Sequence, residues 1–216
     1  MKLYNVAYSG NSYKVRLLLA QLGISHEIIE INILKGESRT AEFLKINPNG
    51  RTPVLDDNGF ILAESNAILA YLAKGTKFLP EDRKKFARAF QWMFFEQYSH
   101  EPALAVLRYL KRFTPDPDAH QSRIAELVSK STFALGVLEK RLAQAQWIAG
   151  PAPTIADYAL YPYTHWMNEV GFSHDDWPAI SLWMRRFEKL PRFLPLYTDA
   201  ATEVIAFADY FATPQL

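Results

Sequence analysis

A chain of 216 residues, 49% hydrophobic and 22% charged, has the composition of a globular protein and the length for one large domain or two modest ones. Its formal charge of +1 leaves no basic footprint for nucleic acid or an anionic membrane surface, so neither is expected as a partner. It has no cysteine, which excludes a disulfide scaffold, a thiolate metal site and a cysteine nucleophile; thiol chemistry would need a thiol that the protein binds.

No run approaches the roughly 20 apolar residues of a membrane span. The N-terminal stretch MKLYNVAYSGNSYK has no uninterrupted apolar segment, so no secretory leader is expected and a cytoplasmic location is.

Along the chain, Lys2–Val6 reads as a short strand. After the loop Ala7–Asn11, helical spacing of Val15, Leu18, Leu19 and Leu22 predicts a helix from Ser12, with Ser12 as N-cap and Gly23 as its stop. His26–Ile31 reads as a second strand and Thr40–Ile46 as a short helix. Thr52–Asp56 and Phe60–Ala63 form a predicted hairpin around Asp57-Asn58-Gly59, and Ser65–Ala73 a helix capped by Ser65. The order β-α-β-α-β-β-α predicts a small mixed sheet with helices on it.

From Thr76 to Asp82 the pattern breaks. Beyond it, Lys84–Arg112, Ala119–Ala145, Thr154–Gly171 and Ile180–Leu190 read as helices separated by prolines, and no convincing strand appears. The expected organisation is an α/β domain over 1–77, a linker over 78–83 and an all-helical domain over 84–216. At 153–157, PTIAD predicts a capping box between Thr154 and Asp157, worth about 1 kcal/mol, with Tyr158 placed to staple against Pro153.

NPNGRTPVL (47–55) places Pro53 at the start of a strand, where a residue without an N–H belongs at an edge or a bulge. A cis bond there would turn the backbone outward and let Val54 pair with an extended peptide as an added strand does. A trans proline opening an edge strand is the alternative.

TPVL, followed after the hairpin by ESNAILAYLA (64–73) and preceded by SGNSYKVRLLLAQLG (9–23), resembles the glutathione S-transferase family, as does the TIADY box of the helical part. The resemblance covers essentially the whole chain and implies a thioredoxin-like N-terminal domain followed by an all-helical domain. It implies a cis Pro53 after Thr52, with the Val54 backbone paired to the cysteinyl part of glutathione, and Glu64 and Ser65 at the γ-glutamyl end. Glu64 suits the α-ammonium; Ser65 and its helix N-terminus suit the α-carboxylate. For the glycyl carboxylate the candidates are Arg51, with Ser38, Arg39 and Lys35 on the preceding segment.

In the family the reactive sulfur lies at the loop Tyr8-Ser9-Gly10-Asn11-Ser12. A free cysteine thiol titrates near about 8.5, and lowering that by about two units takes roughly 2.7 kcal/mol of preferential anion stabilisation. A hydrogen bond to a charged group supplies about 1.5–3 kcal/mol, and a helix N-terminus about 0.3–1 more. By position Ser9 matches the serine of serine-type transferases, and Asn11 matches the asparagine of bacterial members similar to glutathione-dependent disulfide-bond oxidoreductases. The tyrosine-type position falls on Asn5. The electrophile pocket is expected between this loop and the segment 94–109, with Tyr8, Tyr98, Arg108 and Trp166 as candidate walls. Glu96, His100 and Glu101 have helical spacing but include one histidine, and no metal is expected. The resemblance implies no tightly bound cofactor, glutathione as co-substrate and a homodimer. Three functions stay open: transfer of glutathione to a hydrophobic electrophile, glutathione-dependent reduction of a disulfide, and a non-catalytic binding module.

Overall fold

The computed structural model describes residues 1–195. The C-terminal tail 202–216, which from the sequence could either close over the pocket or lie along the helical domain, lies outside the described residues.

Two strands and a helix open the chain: β1 (Lys2–Asn5), α1 (Gly10–Leu22) and β2 (Glu27–Glu30), with β2 parallel to β1. After α2 (Ala41–Ile46) the hairpin β3 (Val54–Asp57) and β4 (Phe60–Ala63) follows, then α3 (Ser65–Ala73). The sheet order is β2-β1-β3-β4. Five helices complete the described chain: α4 (Arg83–Phe95), α5 (Glu101–Arg112), α6 (Gln121–Leu142), α7 (Ile155–His165) and α8 (Pro178–Glu188).

The local reasons are mostly end signals. α1 stops at Gly23 in the left-handed region (φ 69°), where the Gly23 and Ile24 N–H groups return to the Ala20 and Leu19 carbonyls at 3.1 and 3.0 Å. At its start the structure corrects the sequence reading. Ser9, not Ser12, is the N-cap, and its side chain accepts from the Ser12 N–H at 3.3 Å. The Ser12 hydroxyl is buried and accepts from the Val6 N–H, tying the helix back to β1. α3 likewise begins at Ser65, so the cap position falls on Glu64, which makes no side-chain cap bond.

The single helix expected over 84–112 is two, joined by a π-helical turn at Glu96–His100. Pro102 sits at the start of α5 and has no N–H to return to residue 98, so the regular ladder cannot run through. The capping box forms: Asp157 accepts from the Thr154 N–H at 2.8 Å, and also from the Ile148 N–H at 3.1 Å and Trp183 Nε1 at 3.0 Å. Asp157 thereby pins α7 to α8 and to the loop before it. Tyr158 packs edge-on against Phe78 and Phe187.

A hydrophobic core runs through both halves, with α1 lying against α3 on one side and α7 on the other. Buried at that junction is a polar knot. Lys14 Nζ lies 3.1 Å from Glu96 Oε1 and 2.8 Å from Asn66 Oδ1, and Asn66 Nδ2 donates to Glu96 Oε2 at 2.8 Å. It joins α1, α3 and the π turn. Burial raises the Glu96 carboxyl pKa even though Lys14 pulls the other way.

Candidate functional site

An open cavity of about 640 Å³ lies where α1, the segment before β3, α3 and the start of α5 meet. Ser9 and Asn11 line it beside the N-terminus of α1, and Glu64 and Ser65 line it at the start of α3. Arg51, Thr52 and Pro53 form another part of its rim, with Ser38 and Arg39. Nine positions spread over 57 residues of sequence therefore share one cavity, and the Thr52–Pro53 bond among them is cis.

Val54 requires a correction. It opens β3, which is flanked on both sides: Val54 is in register with Tyr4 of β1 and with Ala63 of β4. The strand is interior, not an edge, and the Val54 side chain is buried. What lines the cavity is the segment just ahead of it, residues 50–53. Asn47 shapes that approach, its side-chain amide donating to the Arg51 carbonyl at 2.7 Å and accepting from the Asn49 N–H at 3.1 Å.

The lining carries both signs of charge, with Arg39 and Arg51 on one side of the balance and Glu64 and Glu101 on the other. Arg39 is folded back to the Asn49 carbonyl at 3.1 Å over Gly50, whose φ of 61° and lack of a side chain leave room for the guanidinium. Glu64 takes φ 68°, a region that L-residues avoid and that recurs at ligand clamps. Asn11 is held at both ends of its amide: Nδ2 donates to Glu101 Oε1 at 2.9 Å, and Oδ1 accepts from the Ser65 hydroxyl at 3.4 Å. Glu101 comes from the helical half, so the second domain orients a residue of the first.

A second, narrower recess of about 130 Å³ shares Ser9, Ile33 and Tyr109 with the first cavity and is walled mainly by apolar side chains. Tyr8 and Arg108 line it. The Arg108 guanidinium is buried, donating to the Tyr8 carbonyl at 2.9 Å and to Glu169 at 2.7 Å, and lies 3.8 Å over the Trp166 ring. Trp166 is therefore a support behind Arg108, lining neither cavity. Tyr98 is also misplaced by the sequence reading: it is 88% exposed and borders a separate groove with Phe133. Helical spacing alone does not tell which face of a helix meets the other domain.

Glu96, His100 and Glu101 do not converge. Glu96 faces Lys14, His100 Nε2 pairs with Thr164 at 2.9 Å, and Glu101 holds Asn11. Burial drives the His100 pKa down to about 3, with Lys14 adding to the effect. Asn5 is buried and bonded to Glu30, so the tyrosine-type position carries no group that reaches the cavity. Sequence reasoning missed Glu101, Gln97, Tyr109 and Tyr163 as lining residues. The only available signal for Tyr163 was its place in the aromatic run YPYTHW.

Fold and site together define a thioredoxin-like domain carrying a polar cavity, closed on one side by an all-helical domain. Residues 1–74 match the family model described as glutathione S-transferase, N-terminal domain, and residues 124–186 that of the glutathione S-transferase C-terminal domain. Among curated relatives, the chain is 30% identical to glutathione S-transferase F10 of Arabidopsis thaliana over 80% of this chain and 85% of that one. It is 27% identical to the disulfide-bond oxidoreductase YfcG of Escherichia coli (strain K12), over 84% of this chain and 87% of that one. Among solved structures, a glutathione S-transferase from Pseudomonas fluorescens superposes with a TM-score of 0.89 at 42% identity, covering 92% of this chain and 98% of that one. The chain belongs to the glutathione S-transferase family.

Proposed function

We propose that the protein binds glutathione in the larger cavity and presents its thiolate, at Ser9, to a small hydrophobic electrophile in the adjoining recess. One observation carries the reading: Ser9 lies on the shared wall of a polar cavity and an apolar one. A tripeptide with a carboxylate at one end and an amino-acid group at the other fits the first, and an apolar reactant fits the second. In this assignment Arg51, supported by Ser38, takes the glycyl carboxylate. The segment just ahead of β3, at Thr52 and cis-Pro53, takes the cysteinyl part, and Glu64 and Ser65 take the γ-glutamyl end. Tyr8 and Arg108 belong to the electrophile recess.

Ser9 is the thiolate donor in this account. Its oxygen accepts from the Ser12 N–H, which leaves its own proton to donate. Asn11 spends one amide N–H on Glu101 and its carbonyl on Ser65, so its part is to brace the site and offer its second N–H. The protein's contribution is orientation and charge stabilisation of a borrowed nucleophile. The disulfide-exchange reading uses the same cavity and is the less favoured, because the transferase name recurs among the relatives while that activity is named in YfcG.

The assembly we propose is a homodimer, supported by exposed aromatic side chains: Phe94 (69% exposed), and Tyr98 and Phe133, which border one groove. A cytoplasmic location accords with the described residues, among which no helix is long and apolar enough to cross a membrane. The function is tested by calorimetric titration with glutathione and by its conjugation to a chlorodinitrobenzene. Binding with turnover is expected. Binding without turnover of any electrophile class supports the binding-module reading, and absence of binding rejects the site.

A further inference from the structure

The ring of Tyr163, on α7, lies against the first turn of α1. A Cβ added to Gly10 would sit 2.7 Å from its Cε2 and Cζ atoms, so glycine at position 10 is what lets the phenol approach Ser9. Tyr163 and Ser9 line the same apolar recess, and the Ser9 hydroxyl acts on the phenol, pulling its pKa down against the effect of burial. The ring is otherwise buried, packed edge-on against Trp166.

A serine hydroxyl has one proton and two acceptor positions. One acceptor position on Ser9 takes the Ser12 N–H at 3.3 Å. We propose that Tyr163 is a positioning residue that donates its O–H to the second acceptor position of Ser9. With both lone pairs engaged, the serine proton has one direction left, the glutathione sulfur. Donation into Ser9 also polarises its O–H and strengthens the bond it makes. Burial, with the charge of Glu101, holds the Tyr163 hydroxyl above the usual phenol range, while Arg108 and then Ser9 pull it down and Glu96 up. The phenol therefore keeps its proton across neutral pH. The helical domain thus sets the direction of the donor on the thioredoxin-like domain.

This inference rests on Ser9 as thiolate donor, and its test separates the two. The thiol of bound glutathione is titrated by its ultraviolet absorbance in the parent, Ser9→Ala, Tyr163→Phe and the double variant. The pH profile of kcat/KM and the affinity for S-methylglutathione are measured alongside. Tyr163→Phe keeps the ring packing. It is expected to raise the bound thiol pKa by about half to one pH unit, lowering kcat/KM about 3- to 10-fold below that pKa. Affinity for S-methylglutathione, which has no thiol, should stay unchanged. In the Ser9→Ala background the same substitution should add nothing. An unshifted thiol in Tyr163→Phe overturns the inference and leaves the serine reading standing. A full additional shift in the double variant also overturns it, because the phenol then acts on the sulfur itself. An unshifted thiol in Ser9→Ala rejects both.

Discussion

Replacing Lys14 by methionine probes the junction that holds the two halves of the site in register. Lys14 is 1% exposed and its partner Glu96 is fully buried, 3.1 Å away, with Asn66 bridging them. In Lys14→Met the carboxylate keeps one hydrogen bond, from Asn66, and loses its counter-charge. Removing one partner of a buried ion pair costs about 3–5 kcal/mol, which for a chain of this size lowers the melting temperature by about 6–20 °C. Burial already raises the Glu96 pKa with Lys14 present, and without Lys14 it rises further. A carboxyl whose folded pKa lies above its unfolded value contributes stability that is present at low pH and lost as pH rises through the folded pKa. Lys14→Met should therefore lie closest to the parent near pH 5 and furthest from it near pH 8. Adding Glu96→Gln removes the stranded charge and should recover most of the loss. Thermal and urea unfolding followed by circular dichroism at both pH values is the assay. A destabilisation below about 1 kcal/mol, or a double variant as unstable as the single, would show that the pair is not what ties α1 to the π turn.

Asp157→Ala strands three buried donors, on Thr154, Ile148 and Trp183. At about 1–3 kcal/mol for each unsatisfied group, a loss of at least 3 kcal/mol is expected in urea unfolding, with glutathione affinity of the folded fraction unchanged. Gly10→Ala forces the Tyr163 ring aside and should cost about 1–3 kcal/mol in the same measurement; a neutral result means the ring moves freely. Arg51→Ala, at an exposed position, should weaken glutathione binding about 5- to 10-fold in calorimetry. It should leave affinity for γ-glutamylcysteine, which lacks the glycyl carboxylate, unchanged.

The elements were legible where the signal is local. Phe60–Ala63 and Ser65–Ala73 match the structure residue for residue, because a turn tripeptide and a helical apolar pattern bound them on both sides. The capping box was readable because its partners are three residues apart. The π turn was not, because a proline at 102 is equally compatible with a helix start and with a kink. Whether β3 is an edge or an interior strand depends on β1, some 50 residues away, and no local pattern reports that. The candidate glutathione residues were reached through motifs in the first domain. Glu101 and Tyr163 escaped because their meaning lies in a packing partner on the other domain, Asn11 for one and Gly10 with Ser9 for the other. Tyr98 was misassigned for the converse reason: it is in the right segment but on the face turned away.

Because the chain has no cysteine, any thiolate absorbance in a mixture with glutathione belongs to glutathione. Titrating that absorbance on the saturated protein and on Ser9→Ala is the most direct measure of the central claim. The account predicts a bound thiol depressed by about two units in the parent and restored most of the way to about 8.5 in Ser9→Ala. A depression that survives in Ser9→Ala and vanishes in Asn11→Ala would contradict it and move the chemistry to the amide.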